Sequence, residues 1–116
     1  MHPQLELLLE IQDLKSQIRD MEAAEESREI ERDIFQVQPE DAIEQMNAKI
    51  GEMEDQLEAD VASRYRLVSR RRGRAVVPVL NGVCYGCFMA MPTGVDRKNE
   101  KLKWCENCGS FVYYVD

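Results

Sequence analysis

Four cysteines carry the clearest chemistry in this chain of 116 residues. Cys84 and Cys87 form one C-x2-C pair, Cys105 and Cys108 form a second, and seventeen residues separate the pairs. A C-x2-C turn aims two thiolates at one point, and a hairpin between two such turns gathers all four around a tetrahedral ion. The pattern predicts one structural Zn2+ held by Cys84, Cys87, Cys105 and Cys108, with no coordination position left for water or substrate. Redox disulfides and a sulfur-bound iron are the alternative uses of the same four residues. Gly86 and Gly109 stand beside the second cysteine of each pair, where such knuckles require a small residue or left-handed backbone. No rival chemistry is visible. Ser, His and Asp form no catalytic set, no Gly-rich phosphate loop is present, and His2 is assigned no role. The expectation is a protein that is not an enzyme.

The elements around the cysteines are short. Val76, Val77, Val79 and Leu80 are β-favouring, Asn81-Gly82 signals a turn, and Lys101–Trp104 and Phe111–Val115 predict further strands. Residues 73–116 are too few to bury a sufficient core unaided, so the ion is expected to drive folding, at roughly 10–16 kcal/mol.

Upstream the periodicity is helical. Residues 4 to about 37 contain neither Gly nor Pro, and Leu7, Ile11, Leu14, Ile18 and Met21 recur as an a/d seam. The seam slips through Ala23, Ala24, Glu25 and Ser27 and resumes with Ile30, Ile34 and Val37. Pro39, followed by Glu40 and Asp41, is suited to the first turn of a new helix. That helix is expected to run unbroken to about Arg72, with Ile43, Met46, Ile50, Met53, Leu57, Val61, Tyr65 and Val68 on one face and Gly73 as its stop. Folding back near residues 38–39 would set opposing positions to sum to about 76, pairing Leu7 with Val68, Leu14 with Val61 and Met21 with Met53. The fold class expected is therefore α+β: a long antiparallel coiled-coil hairpin over 1–73, then a small β zinc ribbon over 74–116. A seam two helices wide also leaves room for a homodimer in a four-helix assembly.

Charge divides along the same line. Residues 1–60 balance to −13 and residues 61–116 to +6, within a net charge of −7. No stretch is apolar enough to span a membrane and Met1–Leu9 lacks the features of a signal peptide, so a cytoplasmic location without membrane contact is expected, where thiols stay reduced. Arg64, Arg66, Arg70, Arg71, Arg72 and Arg74 concentrate positive charge where the second helix meets the ribbon, and Arg97, Lys98, Lys101 and Lys103 extend it. One use of these cations is to complement a helix C-terminus. The other is partner binding by Arg64, Arg70, Arg71, Arg72, Arg74, Lys98, Lys101 and Lys103, for an acidic protein or for RNA. Tyr85, Phe88, Trp104, Phe111, Tyr113 and Tyr114 supply either stacking surfaces or the ribbon's core.

From Tyr65 onward the sequence resembles a bacterial family of coiled-coil proteins with a C-terminal C4-type zinc ribbon. The residues that carry the likeness are Gly73, Ala75, Val76, Val77, Val79, Gly82, Cys84, Gly86, Cys87, Pro92, Cys105, Cys108, Gly109 and Tyr113. The family commonly has Arg after the final Cys-Gly, where this chain has Ser110, and its coils tend to be about twice as long. The resemblance implies a regulatory adaptor whose partners are a sigma factor, flagellar or type III export components, or RNA. Two other functions are compatible with the same residues. One is a regulator of the DksA type that inserts its hairpin into the RNA polymerase secondary channel; the other is a purely structural dimerisation module.

Overall fold

The computed structural model describes residues 1–27, 39–94 and 96–115. Ile30, Ile34, Val37 and the expected turn at Gln38 lie outside the described residues. Within them the fold is α+β: helices α1 (Pro3–Ser27), α2 (Pro39–Asp55) and α3 (Ala59–Arg72), then strands β1 (Val76–Leu80), β2 (Val83–Cys84), β3 (Lys103–Trp104) and β4 (Phe111–Tyr114). No described helix is long and apolar enough to cross a membrane.

The chain forms two compact units. One comprises Met1–Leu9 with Leu57–Asp116, the other Glu10–Gln56. In the first unit the strands make one sheet in the order β2-β1-β4-β3. β1 and β4 run parallel, pairing Val76 with Phe111 and Val79 with Tyr114, while β2 and β3 pair antiparallel on the outside. Asn81 (φ 52°) and Gly82 (φ 75°) close β1 onto β2 in the left-handed conformations a two-residue hairpin needs. Val77, Val79, Val112 and Tyr114 bury against Cys84, Cys105 and Cys108, with Cys87 and Met91 at the edge of that cluster.

α3 buries Val61, Tyr65 and Val68, the face that the sequence assigns to it, together with Ala62. It ends where expected: Gly73 takes φ 74° and donates its N–H to the Ser69 carbonyl at 3.0 Å. The expected single second helix is, however, broken at Gln56–Glu58. Leu57 is buried there, and Glu58 is extended (φ −63°, ψ 152°) with its N–H donated to Gln4 Oε1 at 2.9 Å. A tertiary hydrogen bond thus replaces the helical one that the break removes.

The expected register also changes. A sum of 76 would set Gln4 opposite Arg72, but Gln4 meets Glu58. In the second unit Lys15 Nζ lies 4.0 Å from Glu54 Oε2. At the start of α1 the buried residues are Leu5 and Leu8, with Leu7 only half-buried, so the heptad seam does not hold there. In the second unit Ile11, Ile18, Ile50 and Met53 are buried, all of them seam positions.

His2 has a role the sequence did not assign. Its Nδ1 accepts the Gln4 N–H at 3.1 Å and caps α1, just ahead of Pro3 at the first helical position. The His2 N–H is donated to the Asn99 carbonyl at 2.7 Å. The Asn99 side chain brackets β4: its Nδ2 donates to the Tyr114 carbonyl at 2.9 Å, and its Oδ1 accepts the Tyr114 N–H at 2.7 Å. Asn99 therefore pins both the loop before β3 and the N-terminus of α1 to the sheet. Asn99→Ala is expected to lower unfolding stability by about 1–3 kcal/mol, read from urea denaturation of metal-loaded protein, because two part-buried backbone groups lose their partner.

Candidate metal centre

β2 ends at Cys84, and Cys87 follows in the turn beyond it; Cys105 and Cys108 lie between β3 and β4. Because β1 joins β2 on one side and β4 on the other, the two turns converge on one edge of the buried valine cluster. The four Sγ atoms lie within 4.8 Å of one another, with Cys84–Cys108 and Cys87–Cys105 both at 3.8 Å. All four are free cysteines. An edge of about 3.8 Å is what four sulfurs make around a tetrahedral ion at a metal–sulfur distance of about 2.3 Å. The donor set therefore fits one metal ion.

The two knuckles follow the same backbone path. Phe88 N–H donates to the Cys84 carbonyl at 2.6 Å, and Gly109 N–H donates to the Cys105 carbonyl at 2.7 Å. Cys84 N–H donates to the Met89 carbonyl at 3.0 Å, and Cys105 N–H to the Ser110 carbonyl at 2.8 Å. The residue after the second cysteine is left-handed in both, at φ 62° for Phe88 and φ 80° for Gly109. Gly86 has a different job. A Cβ there would meet the Val77 methyls at 3.2 and 3.3 Å and Cys108 Sγ at 3.5 Å, so Gly86 lets the first knuckle close against β1. The sequence marked both glycines but missed Phe88, since nothing in an aromatic residue signals positive φ.

Electrostatics separates the thiols. Burial pushes Cys84 up to about 12 and raises Cys105 as well, so both are neutral at pH 7 without metal. Cys87 is lowered to about 6, first by a hydrogen bond from the Asn107 side chain, a contribution the sequence did not reveal. Cys87 is thus the thiolate available at neutral pH, and filling the site would release protons from Cys84 and Cys105.

The cations predicted to bind partners divide into two groups. Arg64 and Arg72 each serve a knuckle: Arg64 Nη1 donates to the Gly109 carbonyl at 3.5 Å, and Arg72 Nη1 to the Gly86 carbonyl at 3.3 Å. Arg64 also lies 4.2 Å from the Trp104 ring centroid, within cation–π range. Lys103 bonds the carbonyls of Asp96 and Lys98 and sits 5.2 Å from the Tyr114 ring. Arg70, Arg71, Arg74, Lys98 and Lys101 are exposed. A cleft of about 320 Å3 beside the β1–β2 turn is lined in part by Arg97 and Tyr114 and has no carboxylate, histidine or cysteine in its wall. Two buried hydroxyls, of Ser110 and Tyr114, lack a hydrogen-bond partner among the described residues, and burial raises the Tyr114 phenol.

Comparison with solved structures finds CT398 from Chlamydia trachomatis, with a TM-score of 0.56 and 23% identity, over 81% of this chain and 43% of that one. At that identity the likeness concerns the fold alone, and this chain spans less than half the length of the structure it matches. No protein-family model and no curated protein matches the sequence.

Two outcomes follow from this geometry. Co2+ titrated into metal-free protein should bind one per chain with the absorption of a tetrahedral four-thiolate complex, and Cys105→Ser should lose that spectrum together with the near-ultraviolet dichroism of Trp104. Phe88→Gly should raise stability by about 1 kcal/mol in chemical denaturation, because it relieves the left-handed strain of a side chain that packs little.

Proposed function

We propose that this protein is a zinc-stabilised regulatory adaptor without catalytic activity, built from a coiled-coil hairpin and a C4 zinc ribbon. The observation that carries the reading is the closed sulfur cage. With four thiolates on one ion, no coordination position remains for substrate, so the metal acts as a cross-link that holds a small sheet together. Zinc is the ion of choice because it suits tetrahedral sulfur and needs no redox partner; iron is the competitor that suits the same donors. Free thiols of this kind belong to a reducing compartment, which supports a cytoplasmic location.

The binding surfaces follow from charge. Residues 1–60, at −13, supply acidic charge for a protein partner, and the end of α3 with the ribbon supplies a basic surface for protein or RNA. Arg70, Arg71, Arg74, Lys98 and Lys101 are the cations best placed for the second role, since each is exposed. The resemblance to the bacterial coiled-coil and zinc-ribbon family suggests a sigma factor or a flagellar or type III export component as the protein partner. Self-association through the helices would let one assembly present both kinds of surface twice.

Affinity capture from bacterial lysate on zinc-loaded protein, with and without nuclease, tests this reading. A specific protein that survives nuclease and is lost on Arg70→Glu/Arg71→Glu/Arg74→Glu is the expected result. Recovery that vanishes with nuclease would assign the basic end to RNA, and empty eluates in both arms would overturn the adaptor function in favour of a structural module.

A further inference from the structure

The two knuckles share a hydrogen-bond pattern and a left-handed residue, yet they fill that position differently. The second uses Gly109, the residue that backbone stability alone would select; the first uses Phe88, with φ 62° and 70% of its surface exposed. A bulky residue held in a strained conformation with its ring mostly exposed gains little for the fold. Its surroundings repeat the theme. Tyr85 is 44% exposed with its ring centroid 5.5 Å from that of Phe88, and Met89 is 54% exposed. Arg72, itself exposed, reaches the carbonyl of Gly86 in the same turn. Residues 61–95 contain six arginines and no acidic residue, so no carboxylate in that stretch offsets the charge.

We infer that the first knuckle is a docking surface for an acidic protein segment carrying an apolar anchor side chain. This rests on the adaptor reading and names the chemistry of the partner at its basic end. An exposed aromatic pair with Met and Arg has the composition of an interface centre. The Met89 thioether adapts to anchors of different shape, and the Arg72 guanidinium, continued along the chain by exposed Arg70, Arg71 and Arg74, offers carboxylates a planar two-pronged contact. Nucleic acid suits the site less well. The Tyr85 and Phe88 rings are tilted at 50° and lie against one another, so no parallel slot admits a base between them. The Trp104 face, the other exposed aromatic surface of the ribbon, already carries the Arg64 guanidinium.

The test is fluorescence anisotropy on the zinc-loaded full chain. The probe is a labelled twelve-residue peptide of Asp and Glu interrupted by one Phe and one Leu; the controls are the same peptide with Ser at both apolar positions and a twelve-nucleotide oligouridylate. Wild type should bind the anchored peptide about tenfold or more tighter than the Ser peptide. Phe88→Gly and Phe88→Ala should each lose about thirtyfold in affinity for it, the loss expected of an interface centre, although only the glycine variant relieves backbone strain. Arg70→Gln/Arg71→Gln should weaken both peptides and flatten the salt dependence. Equal binding of the two peptides, preference for the oligouridylate, or an unchanged affinity in the Phe88 variants would overturn the inference. Lysate capture separates this failure from that of the adaptor itself: partners retained in full by Phe88→Gly would place docking elsewhere on the chain.

Discussion

Four sulfur atoms gathered within 4.8 Å make a poor arrangement for thiolates and a good one for a cation. Deprotonated and empty, the cluster would repel itself beside the buried valines of β1 and β4; protonated, it offers only weak S–H contacts. The shifted thiol equilibria record that conflict, with Cys84 and Cys105 driven toward the neutral form by burial while Cys87 is lowered. A metal resolves it by making negative charge at all four positions favourable. The sheet itself is small: β1 is five residues, β2 and β3 are two each, and β4 is four. An ion bound by the four sulfurs would tie the two cysteine turns together.

α3 acts as a splint across this arrangement. Arg64 and Arg72 stand eight residues apart, a little over two helical turns, and each donates to a glycine carbonyl in a different knuckle. A Cβ on Gly109 would lie 3.8 Å from both Arg64 Nη1 and Val68 Cγ2, which places the second knuckle in contact with the buried face of the helix. The cations that looked like a uniform basic patch are thus two populations, one bonded to backbone carbonyls of the ribbon, exposed Arg72 among them, and one of Arg70, Arg71, Arg74, Lys98 and Lys101 facing solvent.

Much of this was legible in the sequence, and the rest has identifiable causes. The cysteine spacing, the Asn81-Gly82 turn, the Gly73 stop and the buried face of α3 are local signals, each set by a few neighbouring residues. The break at Gln56–Glu58 is not local. Gln, Leu and Glu are good helix formers, and the bond that Glu58 N–H makes at the break goes to the amide of Gln4, 54 positions away. The expected register differs for a related reason: an a/d pattern agrees with several alignments, and the one adopted sets Lys15 Nζ 4.0 Å from Glu54 Oε2. Leu5 and Leu8 displaced Leu7 because the first turns of α1 belong with the sheet-bearing unit, where a coiled-coil period does not apply. In the first knuckle, the glycine that sequence reasoning marked serves close packing while an aromatic residue takes the left-handed position.

The tie between His2 and Asn99 has a consequence for the order in which the protein can be completed. A ribosome releases α1 long before it makes the loop that bonds its N-terminus, and the parallel pairing of β1 with β4 likewise waits for the second cysteine pair. Until then Leu5 and Leu8, both buried in the finished unit, lack the rest of that unit, and the nascent chain must stay dispersed with those residues unsheltered. The surplus of acidic side chains in the first sixty residues gives it the means, through mutual repulsion during translation.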